Sequence, residues 1–258
     1  MKRAVALEAR LRGCKNVLTL GVHPNWSDYT EEEKALVLAS EKIYYPTLFY
    51  ADLFDVMGKR TFPSYHTYKC VQDKIRQNAL LDLLGIPHPR TRVFYGNGQK
   101  ASILGHFSFP FIAKIPRNSA MGRGVYLIRN EGELKKYCTR KDPAYVQEYL
   151  PIDRDIRVVV IGGRVVHSYW RITPKNEFRS NVALGAAVCF DPIPQEALDM
   201  ALETARCCRW DDVGIDICIH EGKCFVLEAN MKYGMQGFRS AGIDFTRMME
   251  SMIENREI

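Results

Sequence analysis

The sequence predicts an α/β chain built from α+β subdomains, because strand-like and helix-like segments alternate along all 258 residues. An apolar run at 17–22 predicts a buried strand. A helix should begin after Thr30, where three glutamates fill the first turn near the positive end of the helix dipole. Two further apolar runs, 213–219 and 225–229, flank a turn-like segment and predict a β-hairpin.

The remaining segments divide the chain into a short front unit and a longer region. A second helix is predicted from residue 64 to Leu84, ending at Gly85, since a C-terminal glycine is typical of helix ends. Further strands are predicted at 91–95, 111–115, 125–128, 156–161 and 165–170, and further helices at 195–209 and 244–255. We expect a front α/β unit at 1–67 and a second region at 68–258.

Composition narrows the class of protein. The net charge of +6 suits phosphate ligands or an acidic substrate, but it is too diffuse to indicate nucleic acid. The eight cysteines form no CxxC pair, which argues against a zinc cluster and a disulfide scaffold. The sequence has no apolar run of roughly 18 residues and no signal peptide. We therefore expect a cytoplasmic protein with no membrane partner.

Polar residues in the predicted hairpin indicate a cation site. A register centred on Gly222 places Asp216 opposite Glu228, and Asn230 follows on the same face because side chains alternate along a strand. Two carboxylates so close repel unless a cation lies between them, and hard oxygen ligands suit Mg²⁺. The alternative is a solvent-facing hairpin whose polar residues only keep it soluble.

A glycine-containing loop at 117–124 follows the strand that carries Lys114. Gly122 and Gly124 allow backbone N–H groups to approach phosphate oxygens, and Lys114 would reach the same anion. The alternative is an ordinary turn beside an exposed lysine. Downstream, Glu148 and Asp155 could contact a nucleotide or form a surface ion pair.

The order of these motifs strongly resembles that of the RimK-like ATP-grasp carboxylate–amine ligases. The resemblance covers roughly 68–258 and includes the blocks DK at 73–74, VQEYL at 146–150, DIR at 155–157, FRSN at 178–181, GID at 214–216 and LEAN at 227–230. It implies an ATP-grasp fold, in which 68–145 forms a lid-side subdomain and 146–258 a metal-binding subdomain behind a short pre-ATP-grasp unit. It also implies an enzyme that activates a carboxylate as an acyl phosphate and joins it to an amine.

The resemblance also implies roles for individual residues. The expected ATP-binding residues are Lys74, Lys114, Gln147, Glu148, Tyr149, Asp155, Arg179, Ser180 and Asn181. The expected magnesium ligands are Asp216, Glu228 and Asn230. Two ions are expected, with Glu228 between them, and Mn²⁺ is a possible substitute. Arg157, Arg171 and Glu228 are expected to act in catalysis, and the arginines could hold an anionic substrate.

Some features of the chain depart from the family pattern. The segment after Asn230 reads MKYGMQG, where the family usually has a small residue, serine or threonine, proline and glycine, so the acceptor side is rewritten. The expected partners are a carboxylate and an amine, the latter an amino acid, a peptide or a protein terminus, with a homo-oligomer possible. An ATP-grasp phosphotransferase acting on a hydroxyl and a non-catalytic nucleotide-binding protein remain alternatives.

Overall fold

The computed structural model of the protein describes residues 3–117, 124–140, 143–174, 177–178 and 185–258. The strands there are β1 (Ala4–Ala6), β2 (Val17–Thr19), β3 (Lys42–Tyr44), β4 (Arg60–Phe62), β5 (Thr91–Phe94), β6 (Phe111–Lys114), β7 (Val125–Ile128), β8 (Ala144–Glu148), β9 (Arg154–Ile161), β10 (Arg164–Ile172), β11 (Ala187–Cys189), β12 (Asp212–His220) and β13 (Lys223–Asn230). The helices are α1 (Glu31–Ala39), α2 (Thr47–Val56), α3 (Tyr65–Val71), α4 (Lys74–Leu84), α5 (Gly96–Lys100), α6 (Glu131–Arg140), α7 (Gln195–Cys208), α8 (Gln236–Ser240) and α9 (Phe245–Glu254).

The front of the chain forms a parallel sheet with strand order β2-β1-β3-β4. Helix α1 begins where the sequence predicts, because Thr30 and Glu33 form a reciprocal cap. The Glu33 backbone N–H donates to Thr30 Oγ1 at 3.2 Å, and the Thr30 backbone N–H donates to Glu33 Oε2 at 2.9 Å. Such a capping box satisfies two backbone donors that a helix otherwise leaves unpaired.

The helix predicted over 64–84 is two helices, α3 and α4, so that prediction is wrong at its centre. Asp73 separates them, since its side chain accepts hydrogen bonds from the backbone N–H groups of Ile75 and Arg76 and so caps a new helix. The predicted end is correct: Gly85 follows α4 in the left-handed conformation, with φ of 66°.

The other strands form two antiparallel sheets, with orders β5-β8-β6-β7 and β11-β10-β9-β12-β13. The division expected between residues 145 and 146 falls inside β8, which belongs entirely to the four-stranded sheet. In addition, Leu81 of α4 packs in the core of the five-stranded sheet with Ile215 and Val226. The two sheets therefore do not separate at residue 145, while the expected subdomains themselves stay a prediction.

A β-bulge sets the register of the β12–β13 hairpin. The turn consists of Glu221 and Gly222, both with positive φ, as in the tight turns that suit twisted hairpins. From this turn the strands pair regularly up to Ile217 opposite Val226, and then Asp216 pairs with Glu228. Leu227 is therefore the extra residue. The predicted pairing of Asp216 with Glu228 is confirmed.

A buried carboxylate joins the front unit to the five-stranded sheet. Asp212, which is 1% exposed, accepts hydrogen bonds of 2.7 Å from the hydroxyls of both Tyr45 and Tyr233. The Nε atom of Arg10 lies 4.0 Å from the same carboxylate, and its guanidinium covers the Tyr233 ring at 4.6 Å. Two residues of the front unit thus meet one residue of the rewritten segment after Asn230.

In the part of the chain that the structure describes, no helix has both the length and the apolar character needed to cross a bilayer.

Candidate functional site

Four polar side chains form a row across one face of the five-stranded sheet. Tyr169 pairs with Arg157, Arg157 with Asp216, and Asp216 with Glu228. Asn230 lies two residues from Glu228 and pairs with Gly214. Because successive side chains of a regular strand point to opposite faces, Asn230 shares the face of Glu228. The three predicted metal ligands are thus brought to one corner of this sheet.

Two arginines contact the carboxylate of Asp216. Its Oδ2 atom lies 3.1 Å from an Nη atom of Arg157 and 2.9 Å from an Nη atom of Arg171. Arg171 also donates two hydrogen bonds, of 2.6 and 2.7 Å, to the two carboxylate oxygens of Asp155. Burial by itself lowers the pKa of Arg171, but Asp155 and Asp216 outweigh it and raise that pKa above the ordinary value.

Arg171 and Asp155 are paired with each other inside this network. Each is about 5% exposed, and both oxygens of the Asp155 carboxylate are held by Arg171. In the structure Arg171 contacts protein carboxylates, and Asp155 is paired with Arg171; the roles expected for Arg171 at an anionic substrate and for Asp155 at a nucleotide stay predictions. Arg171 also contacts Asp216, so Asp155 helps to position the arginine that balances the buried charge of Asp216.

Glu228 faces two lysines. Lys74 at the start of α4 places its Nζ atom 3.1 Å from Glu228 Oε1. Burial by itself raises the pKa of Glu228, but Lys74 and Lys114 more than offset it, so the pKa lies below the ordinary value. Burial lowers the pKa of Lys114, which is 7% exposed, and Glu228 opposes that change. Glu228 is therefore ionised at neutral pH beside two amines.

These groups line a recess between the two antiparallel sheets. Lys114 and Tyr145 come from the four-stranded sheet, and Glu228 comes from the five-stranded sheet. The other lining residues are Lys74, Gln77, Asn78, Leu81, His88, Gln147, Val226 and Leu227. A partly apolar recess with a few converging charged groups is typical of a small-molecule site.

The predicted adenine-side residues lie at the end of β8. Gln147 lines the recess, is 4% exposed and donates a 2.9 Å hydrogen bond to Thr91 Oγ1. The Glu148 carboxylate accepts a 2.6 Å hydrogen bond from the backbone N–H of Arg90, and Tyr149 follows directly and is half-buried. Arg179, Ser180, Asn181 and the loop at 118–123 lie outside the described residues.

The donor set of the hairpin corner fits a divalent cation such as Mg²⁺. It offers two carboxylates and one amide oxygen, all hard ligands. Asp216 Oδ1 is buried and has no hydrogen-bond partner among the described residues, although Arg157 lies beside it as an ion pair. In the same part of the chain there is no cluster of three or more His, Cys, Asp or Glu side chains suited to a metal.

Sequence reasoning missed two residues that shape this corner. Gln77 exchanges hydrogen bonds with the backbone of Ala229, the residue between Glu228 and Asn230. Its position one helical turn after Lys74 is a usable signal, because side chains three apart share a helix face. Tyr233 packs against Gly214, where an added Cβ would lie 2.5 Å from the Tyr233 Cβ. No signal in the sequence indicates that second contact.

Comparisons with known proteins point to one group of enzymes. A coenzyme γ-F420-2:α-L-glutamate ligase of Methanococcus maripaludis is 29% identical over 72% of this chain and 67% of its own length. The glutamate–LysW ligase ArgX of Sulfolobus acidocaldarius is 29% identical over 82% of this chain and 78% of its own. A ribosomal protein bS6–L-glutamate ligase of Escherichia fergusonii is 27% identical over 78% of this chain and 69% of its own length.

Solved structures share the fold at low sequence identity. A RimK domain protein of Sphaerobacter thermophilus superposes with a TM-score of 0.72 at 14% identity, covering 96% of this chain and 98% of its own. A D-alanine–D-alanine ligase of Bacillus anthracis superposes with a TM-score of 0.68 at 13% identity, covering 98% of this chain and 96% of its own. The predicted ATP-grasp fold is confirmed by these neighbours.

The model of the RimK-like ATP-grasp domain matches residues 71–253. This range covers more than half of the chain, and the similar proteins named above are ligases. The predicted carbon–nitrogen ligase class is therefore confirmed. Enzymes with this fold bind ATP together with divalent cations, and the chain belongs to the RimK-like ATP-grasp family.

Proposed function

We propose that this ligase joins the amino group of an acidic amino acid, such as glutamate, to a carboxylate that ATP has activated. The observation that carries the proposal is the convergence of Lys74, Lys114 and Glu228 at one recess between the two sheets, with Asp216 paired opposite Glu228. Three similar enzymes are named for glutamate, which supports an acidic amine substrate.

In this proposal the chain supplies positioning and charge. Lys74 and Lys114 bring positive charge to the phosphates of ATP, and the end of β8 from Gln147 to Tyr149 borders the adenine. Asp216, Glu228 and Asn230 would hold Mg²⁺, which would neutralise phosphate charge when bound. Arg157 and Arg171 hold Asp216, so they act through that carboxylate. Arg179, Ser180 and Asn181 complete the proposed nucleotide contacts.

The reaction needs no nucleophile from the protein. A substrate carboxylate oxygen takes the γ-phosphoryl group of ATP, and ADP leaves. The amine nitrogen then attacks the carbonyl carbon, the bond from that carbon to the phosphate oxygen breaks, and the amine proton passes to solvent or phosphate. The fixed charges of the recess would stabilise the negative charge that develops on the transferring group.

A substrate screen tests the proposal. The protein is incubated with Mg-ATP, glutamate and a pool of carboxylates that includes short peptides, and ADP formation and product masses are followed. We expect ADP release that needs both substrates, together with a product that has gained a glutamate residue, and both should be roughly a hundredfold or more slower with Glu228→Gln. Phosphate added to a hydroxyl would instead identify a phosphotransferase. Nucleotide binding without turnover across the pool would contradict the ligase assignment.

A further inference from the structure

Strand β13 lies at the edge of the five-stranded sheet, so one side of its backbone has no neighbouring strand among the described residues. Two other segments supply hydrogen bonds there. The backbone N–H of Val226 donates to the carbonyl of Pro87 at 2.9 Å. Gln77 pairs reciprocally with Ala229: the Ala229 N–H donates to Gln77 Oε1 at 2.9 Å, and Gln77 Nε2 donates to the Ala229 carbonyl at 2.8 Å.

These bonds lie on either side of the bulge at Leu227. In a regular strand Val226 and Glu228 would share a face, because they are two residues apart. Here Val226 lies opposite Ile217 and packs with it in the apolar core, while Glu228 lies opposite Asp216, the neighbouring residue of β12 whose side chain points to the other face. An extra residue leaves the ladder locally disrupted, so the outer contacts determine how firmly the bulge is held.

The amide of Gln77 is suited to holding a strand. It is 4% exposed, and its NH₂ group also donates to the Val71 carbonyl at 2.6 Å, so both amide protons are used. The same helix carries Lys74, which contacts the Glu228 side chain. Helix α4 thus holds the backbone of β13 through one side chain and a carboxylate of the site through another.

We propose that Gln77 is a positioning residue that fixes Glu228 and Asn230 for a divalent cation by clamping Ala229 between them. The inference rests on the proposed function, because it assigns a purpose to the geometry of the same site. Groups that hold metal ligands in place typically change metal affinity or activity by about 10–100-fold when they are replaced. Gln77 acts on the peptide backbone of the strand, with no contact to the side chains of Glu228 and Asn230 among its recorded hydrogen bonds.

The test measures Mn²⁺ binding by electron paramagnetic resonance in the presence of a non-hydrolysable ATP analogue. Gln77→Met keeps the volume of the side chain and removes the clamp, and Gln77→Asn keeps an amide that is too short to reach Ala229. We expect both variants to bind Mn²⁺ about tenfold more weakly than the parent. With an active substrate pair, kcat should fall while the KM of the amine substrate stays unchanged.

Thr67→Val is the matched control. Thr67 is also a buried helical side chain that bonds to a strand end, donating to Asp211 Oδ1 at 2.8 Å and accepting from the Asp211 N–H at 3.1 Å. The control should lose stability in thermal melting yet bind Mn²⁺ as the parent does. Parental Mn²⁺ affinity in both Gln77 variants, or an equal loss in the control, would overturn the inference. Absence of Mn²⁺ binding by the parent itself would instead count against the proposed function.

Discussion

Asp216 and Glu228 lie directly opposite each other across β12 and β13, although the two-residue turn alone would place Leu227 opposite Asp216. The bulge at Leu227 produces the observed pairing. Each carboxylate has its own cations: Asp216 has Arg157 and Arg171, and Glu228 has Lys74. The expected repulsion between the two carboxylates is therefore offset by neighbouring protein charges before any metal binds.

Glu228→Gln should reduce turnover by roughly a hundredfold or more, because loss of metal-assisted charge stabilisation costs several kcal/mol in the transition state. The sequence alone suggests that the metal-free variant melts no lower than the parent, since repulsion with Asp216 is relieved. The structure reverses that expectation, because the variant removes the attraction between the Glu228 carboxylate and the charges of Lys74 and Lys114. Thermal melting without ligands measures the difference. An equal or higher melting temperature for the variant would contradict the stabilising attraction between Glu228 and the two lysines.

Arg171→Met should lower the free energy of unfolding by about 3–5 kcal/mol, because it leaves the buried carboxylate of Asp155 without its partner. Urea unfolding at neutral pH measures the loss. Adding Asp155→Asn to the same variant should recover part of it, since the uncompensated charge is then gone. If the two substitutions were simply additive, the bidentate pair would not contribute as the structure indicates.

Gly214→Ala should destabilise the protein by about 1–3 kcal/mol, as is typical of overpacking. The new Cβ would lie 2.5 Å from the Tyr233 Cβ and 3.0 Å from an Nη atom of Arg157, so one of them must move. Gly105→Ala is the control, because nothing lies within 4 Å of a Cβ at that position. Urea unfolding of both variants tests the contact. If the two variants were equally stable, Tyr233 would be able to move away from the new Cβ without a measurable loss of stability.

His167 should make stability depend on pH in the mildly acidic range. Its ring lies among Tyr169, Phe190 and Phe238, and burial lowers its pKa below the ordinary value. Below about pH 6.5 the unfolded chain therefore binds a proton that the folded protein does not, so stability falls as pH falls towards the folded pKa. Urea unfolding at pH 7.5 and 5.5 should show a larger loss for the parent than for His167→Phe. The same loss in both would exclude His167 as the source.

The sequence predicts the hairpin and its polar face well, because strand periodicity is a local property. The pairing of Asp216 with Glu228 was predicted from a symmetric turn, yet it arises from the bulge at Leu227, which alternation alone does not reveal. The break between α3 and α4 was missed because Asp73 suits both a helix surface and a helix cap. Arg171 pairs with Asp155 inside the β9–β10 hairpin, but its contact with Asp216 reaches β12, a strand that the sequence alone does not place nearby.

The contacts of Asp212 limit how the front unit can be exchanged between related enzymes. Asp212 lies in the five-stranded sheet, but Tyr45 and Arg10 come from the front unit. Consider a chimaera that takes its first 67 residues from a relative without these two side chains. Its buried Asp212 carboxylate would keep Tyr233 as a hydrogen-bond donor but would lose Tyr45 and the charge of Arg10. Recombination at the boundary near residue 67 therefore has to transfer Arg10, Tyr45, Asp212 and Tyr233 as one set.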